Sequence, residues 1–338
     1  MKRIGERTAR LTVPVTLLGC ANAVGRKEGD GPLCTGFDYA DPDDSFGQST
    51  REKSEQELQR MALDLALEKS GLPPEGPDCL FAGDLLNQCA ASSYAARDRE
   101  TPYFGLYNAC ATFGEGLILA AMALESGYAG CAAVAASSHF CTAERQYRTP
   151  LEYGGQRTPT AQWTVTGAGA AILGAEGAGP KITHITPGRI VDLGVADPNN
   201  MGAAMAPAAC DTITAHLRDI GRGPEYYDRI ITGDLGRTGS KLLLELLSHE
   251  GISLHNHADC GCMIFDPDTQ DVHAGGSGCG CCAAVFSGCL YNSLQAGTWR
   301  NILFCPTGAL HSPTTLLQGE SIPGICHALA ISSGKEGM

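Results

Sequence analysis

The chain predicts a mixed α/β fold, a five-layered α-β-α-β-α sandwich made of two halves related by a pseudo-two-fold axis. Three observations lead there. Short apolar strand-like runs alternate with helical segments, the pattern of parallel α/β sheets. The second half repeats the first in order: Asp78-Cys-Leu-Phe-Ala-Gly83-Asp84-Leu85 is answered by Asp228-Arg-Ile-Ile-Thr-Gly233-Asp234-Leu235. Finally, residues 111–126 and 280–295 are apolar nearly all round, and helices of that kind need cover on every side, which two enclosing sheets provide.

Taken in order, residues 10–18 alternate as a first strand, and residues 25–52 read as a polar loop rich in Asp and Gly. Residues 54–70 form an amphipathic helix. Ser54 and Glu57 have the spacing of a capping box, and Gly71 with Pro73-Pro74 ends the helix. A short buried strand over 79–82 closes on Gly83-Asp84. The centre of the chain is Gly105-Leu-Tyr-Asn-Ala-Cys110-Ala-Thr-Phe-Gly-Glu-Gly116. Cys110 falls on a turn from strand to helix, where free helix N–H groups lower a thiol pKa and suit an anion or a developing oxyanion. The same residue also reads as a small core side chain at a tight turn.

A second buried strand, 131–136, ends in Ser137-Ser138-His139. A polar insertion over 140–162 follows, carrying Arg145, Arg148 and Arg157, and runs into a strand over 163–173. Residues 176–180 look like a join, so the halves are taken as 1–176 and 177–338. In the second half a helix covers roughly 208–219. Aligning residues 125–134 with 295–304 puts Gly280 opposite Cys110, and the closing strands 167–172 and 324–329 also correspond.

Composition sets the outer limits. With 338 residues, 43% hydrophobic and 18% charged, the chain is globular, and its net charge of −13 argues against nucleic acid or a broad anionic-lipid contact. Sixteen cysteines sit mostly among Gly and Ala in a chain whose first residues lack an apolar signal, so reduced buried thiols in a cytoplasmic setting are expected, not secretion. No apolar run is long enough to span a membrane. His255-Asn-His257-Ala-Asp-Cys260-Gly-Cys262, with Cys279, Cys281 and Cys282, offers zinc-type ligands, but without the usual paired spacing. No metal or cofactor is assigned.

The architecture resembles the thiolase superfamily, in which Cys110 falls at the position of the nucleophile. Ser137-Ser-His-Phe-Cys-Thr-Ala-Glu-Arg-Gln-Tyr-Arg148 and Glu152-Tyr-Gly-Gly-Gln-Arg-Thr-Pro-Thr-Ala-Gln162 are more specific. With Thr232-Gly-Asp-Leu-Gly236 and Thr307-Gly-Ala-Leu-His-Ser-Pro313, they resemble the stage V sporulation protein AD (SpoVAD) family over essentially the whole chain. That resemblance implies a forespore protein, peripheral at the spore inner membrane. It would bind dipicolinic acid (pyridine-2,6-dicarboxylate), with or without calcium, and help other SpoVA proteins move it into the developing spore. A homodimer paired through residues 103–109 is implied as well.

The competing class is a thiolase- or ketoacyl-synthase-like acyltransferase using Cys110. Against it, the superfamily's second-half His or Asn positions are here Asp-Leu-Gly-Arg after Gly233 and the loop Gly275-Gly-Ser-Gly, and losing one oxyanion donor typically costs about a hundredfold in rate. Cys110 is therefore expected to line a binding pocket. Asp84 and Asp234 end equivalent strands. Asp84 is the stronger pocket candidate, because the superfamily's site is built mostly from first-half loops, although either Asp could simply cap a turn. Ser138 and His139 are expected to wall the pocket, and His139 and His311 to donate to a carboxylate. Arg145, Arg148 and Arg157 either clamp the dicarboxylate or pair with Glu144 and Glu152 to hold the insertion together.

Overall fold

The computed structural model describes residues 1–72, 76–147 and 157–334. It is a layered α/β structure around one continuous sheet. From one end the strands run His257–Asp259, Arg229–Thr232, Asn301–Cys305, Ala328–Ser332 and Lys181–Thr186; then follow Thr8–Val24, Gly167–Gly174, Cys131–Ser138, Cys79–Gly83 and Tyr103–Leu106. Lys2–Ile4 and Tyr39–Ala40 pair with Thr8–Val24 at the side of that path.

The strand order is pseudo-symmetric, five strands on each side. Each side is parallel at its outer end and antiparallel where it meets the other. The two expected sheets are hydrogen-bonded into one because Thr8–Val24 is long enough to serve both. Its residues 16–24 pair with Gly167–Gly174, and residues 9, 10, 15 and 16 pair with Lys181–Thr186.

The two apolar segments form the central helices. Thr112–Glu125 follows Cys110 directly. Its counterpart begins at Cys279–Val285, passes through a π-helical turn at Phe286–Leu290 and ends as Tyr291–Ala296. They meet through Phe113 and Phe286, ring centroids 5.5 Å apart, and Phe286 continues onto Phe304 at 4.7 Å. Glycine permits the close approach of the second helix to the sheet: a Cβ on Gly280 would lie 2.1 Å from the Gly167 carbonyl oxygen.

Four elements differ from the sequence reading, the first being the strand expected over 163–173, which is two strands in separate sheets, Trp163–Thr164 and Gly167–Gly174. The first long helix is Arg51–Ser70, capped by Thr50 whose hydroxyl accepts from Lys53 N, so the Ser54 capping box is not used. Ser54 is buried inside the helix and donates to the Ser45 and Thr50 carbonyls instead. The second-half helix is Met201–Ile220, starting seven residues earlier than expected and running through Pro207. The start of the insertion is a helix, Phe140–Tyr147. No described helix is long and apolar enough to cross a membrane.

Candidate functional site at Cys110

Parallel strands in both halves carry the site at their carboxyl ends. Ala109 immediately before Cys110 takes φ +48, the left-handed region, a strained conformation for a residue with a side chain. That kink turns Cys110 into the interior at the head of Thr112–Glu125, where it is only 6% exposed.

What faces the thiol comes from the second half. Cys110 Sγ lies 3.6 Å from Ser277 Oγ, and Ser277 Oγ donates to Asp234 Oδ2 at 2.6 Å. Asp234 also accepts from Gly278 N at 3.2 Å and from Thr307 Oγ1 at 2.9 Å, while its own N–H donates to Thr307 Oγ1. Ser277 is held in place by the strand that leaves the insertion, Trp163–Thr164, which pairs in parallel with Gly276–Ser277. Gln162 completes the tie by donating to the carbonyls of Asp234 and Gly276.

The electrostatics reverse one sequence-based expectation. The helix N-terminus does not lower the Cys110 thiol pKa. Burial raises it well above the ordinary value, and the Asp234 carboxylate, to which the thiol donates, raises it further. Burial also pushes Asp234 up to about 6, against its hydrogen bonds from Ser277, Cys110 and Thr307. Cys110 is thus a protonated donor, one member of a Cys–Asp–Ser cluster.

Asp234, not Asp84, is the carboxylate at the thiol. Asp84 is buried, but its oxygens accept from Leu86 N, Ser92 N and Ser92 Oγ at 2.6–2.8 Å. Ser92 connects it to Gln59, which also bonds Ser137, and Ser137 and Thr142 in turn donate to Glu55. This is a separate buried network behind the first-half strands.

Ser138 Oγ donates to the Val165 carbonyl and accepts from Gly280 N, fastening the second central helix rather than facing the thiol. His139 Nε2 bonds the Asp44 carbonyl oxygen and its Nδ1 accepts from Cys141 N, so the ring is tied to the 41–48 loop. Arg145 is 55% exposed and forms an ion pair with Glu52, neither of the two glutamates expected. Arg157 lies over the face of Trp163, 4.8 Å from the ring centroid, with Lys27 on the same ring at 3.7 Å. Arg148 and Glu152 lie outside the described residues.

His311 is buried beside Tyr147, ring centroids 5.5 Å apart. Tyr147 OH donates to the Leu85 carbonyl and meets Tyr107 OH at 2.6 Å. The Cys110 and Cys279 thiols are near enough to help raise the Tyr107 phenol to about 12, burial being the larger cause.

The sequence reading passed over Ser277, Asn108 and His327. His327 Nδ1 accepts from Gly188 N at 3.0 Å, and its Nε2 lies 2.7 Å from Asn108 Nδ2. Burial lowers the His327 pKa to about 4, so the ring is neutral. All sixteen cysteines are free thiols, and among the described residues no group of three or more His, Cys, Asp or Glu is placed to hold a metal ion.

Among solved structures the fold is similar to 3-oxoacyl-[acyl-carrier-protein] synthase III from Aquifex aeolicus VF5. The identity is 13% and the TM-score 0.56, covering 94% of this chain and 99% of that one. It is also similar to a variant of OleA from Xanthomonas campestris, at 14% identity and TM-score 0.60 over 96% and 100% of the two chains. Both are thiolase-superfamily structures, and at such identities the likeness concerns the fold alone. In sequence, the chain is 41% identical over 330 residues to stage V sporulation protein AD of Bacillus subtilis (strain 168), covering 97% of each. The stage V sporulation protein AD profile matches residues 5–332. A chain with this fold, matched from end to end in this way, belongs to the stage V sporulation protein AD (SpoVAD) family.

Proposed function

We propose that the protein binds dipicolinic acid, without turning it over, at the Cys110 cluster, in support of its uptake into the developing spore with other SpoVA proteins. The observation that carries this reading is the acid at the thiol. Acyl transfer through Cys110 needs a thiolate and donors aimed at a developing oxyanion. Burial and the Asp234 charge together keep the thiol protonated, and that charge would repel an oxyanion. A fold shared with enzymes can carry a site that binds without turning its ligand over.

Dipicolinate is a dianion near neutral pH, so Asp234 also sets the conditions for binding. A proton on its carboxyl, or a calcium ion carried by the ligand, offsets the repulsion. Because Asp234 sits at about 6, metal-free binding should weaken as pH rises from 5.5 to 8. Asp234→Asn should bind more tightly at pH 8 and lose most of that dependence. Calorimetric titration of dipicolinate, with and without calcium, into wild type, Asp234→Asn and Cys110→Trp tests this. Cys110→Trp should abolish binding with the circular dichroism spectrum unchanged. Equal affinity in all three proteins would sink the site. A mass increase at Cys110 after incubation with acetyl- or malonyl-CoA would favour the acyltransferase reading instead.

A further inference from the structure

A cleft opens at the seam between the two halves of the sheet, at the opposite ends of the strands from the Cys110 cluster. Asn301 lies beside it and begins the strand Asn301–Cys305, whose far end leads through Pro306 to Thr307 at the Cys110 cluster. The cleft there has a volume of about 300 Å³. Two irregularities of the sheet open it. The pairing of Thr8–Val24 with Lys181–Thr186 slips between Arg10 and Val15, so residues 11–14 leave the ladder. On the other side of Lys181–Thr186 the pairing with Ala328–Ser332 slips between Ala330 and Ile331, leaving Thr183 without an opposite residue. Bulges on both neighbours of one strand, at one place, re-aim side chains towards a common point.

The cleft is basic in a strongly acidic protein. Arg10, Arg222 and His184 line it, with Thr12, Asn301 and Tyr226 among the neutral groups, and among the described residues no carboxylate does. Arg10 stands directly opposite His184 in the ladder. Arg222 lies over the Tyr226 ring, 4.1 Å from its centroid. Among the described residues neither guanidinium forms an ion pair, whereas nearby Arg7, Arg189 and Arg218 each pair with a carboxylate at 2.7–2.8 Å. In a chain with 37 acidic and 24 basic residues, two arginines without acids around one cleft make it locally positive and attractive to an anion.

We propose that this cleft is a binding site for a small oxyanion ligand, carboxylate- or phosphate-bearing, held by Arg10 and Arg222. The guanidinium forks match the two oxygens of such a group. His184 adds a proton-linked third donor. Thr183 Oγ1 donates to the Ala330 carbonyl, so at 3.0 Å the Thr183 oxygen accepts from His184 Nδ1, leaving Nε2 to take up a proton when an anion arrives. Burial together with Arg222 and Arg10 holds His184 down at about 4; beyond it lies His216, bonded to Thr186 and Tyr227.

The test is an NMR titration of the histidine signals of the full chain, that of His184 being assigned with His184→Gln. Inorganic phosphate and dipicolinate are added separately, each with a calorimetric affinity. A bound oxyanion should raise the His184 pKa by about one unit. The Arg10→Gln/Arg222→Gln double variant should start from a higher His184 pKa, show no further rise and bind at least tenfold more weakly. Both arginines are exposed, so the fold should survive, and Arg10→Lys/Arg222→Lys should recover part of the affinity. A response to phosphate alone, to dipicolinate alone or to both supports the site and identifies its ligand. An unmoved His184 signal with both probes, or equal affinity in the Gln variant, overturns it. Cys110→Trp must leave this response intact, which separates it from binding at the Cys110 cluster.

Discussion

Asp234 shows how much one side chain decides here. Two hydroxyls and a backbone N–H hold its carboxyl in place against the Cys110 thiol. If its charge is what raises the thiol, Asp234→Asn should make Cys110 react with iodoacetamide about tenfold faster at pH 8, the effect of roughly one pKa unit. An unchanged rate in a folded variant would assign the raised thiol to burial alone. Cys110 was legible in the sequence because a strand-to-helix turn is marked by local punctuation. Asp234 was legible only as the end of a strand, and its choice over Asp84 is made by Ser277, which the fold brings from 43 residues away. His327 carried no local signal at all: its partner Asn108 is 219 residues away.

Among the elements, the strand Tyr103–Leu106 is the most exposed to consequence. It is the last strand of the sheet and pairs on one side only, with Cys79–Gly83. Phe104 is 41% exposed on it, stacked on Phe81 at 4.9 Å. Such an edge is an aggregation hazard unless it is covered, and a second copy across a two-fold axis would cover it. Sedimentation should therefore find a dimer at micromolar concentration, and Phe104→Lys, which places like charges near the axis, should shift it to monomer. A wild-type monomer would remove the edge strand from any role in assembly. Helices were easier to foresee by existence than by boundary. The box Ser54–Glu57 had the right spacing, yet Thr50 won because the Asp41–Gly47 turns deliver the chain to it and leave the Ser45 carbonyl for Ser54.

For the whole molecule, buried carboxylates set the response to pH above neutrality. Burial raises Glu28 and Glu55 to about 8 and Asp234 to about 6. Against them, His184 and His327 at about 4 and His216 at about 3 leave the folded chain fewer protons than the unfolded chain between about pH 4 and 6.5. The carboxylates alone therefore set the balance only above about pH 7, although their extra protons begin above about pH 4.5. The stability the carboxylates contribute is fully present below about pH 4.5 and is lost as pH rises towards 8, at about 1.4 kcal/mol per pH unit for each extra proton. Asp219 and Glu125, both held near 2, act in the opposite sense but only below the same pH. Denaturant midpoints should thus fall between pH 7 and 8.5. Glu28→Gln should flatten the fall, because Glu28 has one oxygen on Thr166 N and no partner for the other among the described residues. A midpoint that rises over this range would contradict the assignment. The layered fold itself was readable from two all-apolar helices and a repeated strand motif. That the sheets join into one was not, because the alternation over residues 10–18 does not show that the strand runs on to Val24 and pairs with a different half on each side.

That joining strand has a consequence for how the protein is made. Thr8–Val24 is synthesised long before its partner Lys181–Thr186, which joins the rest of the second half's sheet through Ala328–Ser332, the last described strand to be made. Loop closure over such separations is slow, and an emerging chain keeps open sheet edges until then. The first half can gather its own five strands early. The seam between the halves closes late, so a nascent chain of this family spends most of its synthesis as a protein with an unfinished sheet, the state in which a chaperone would find it.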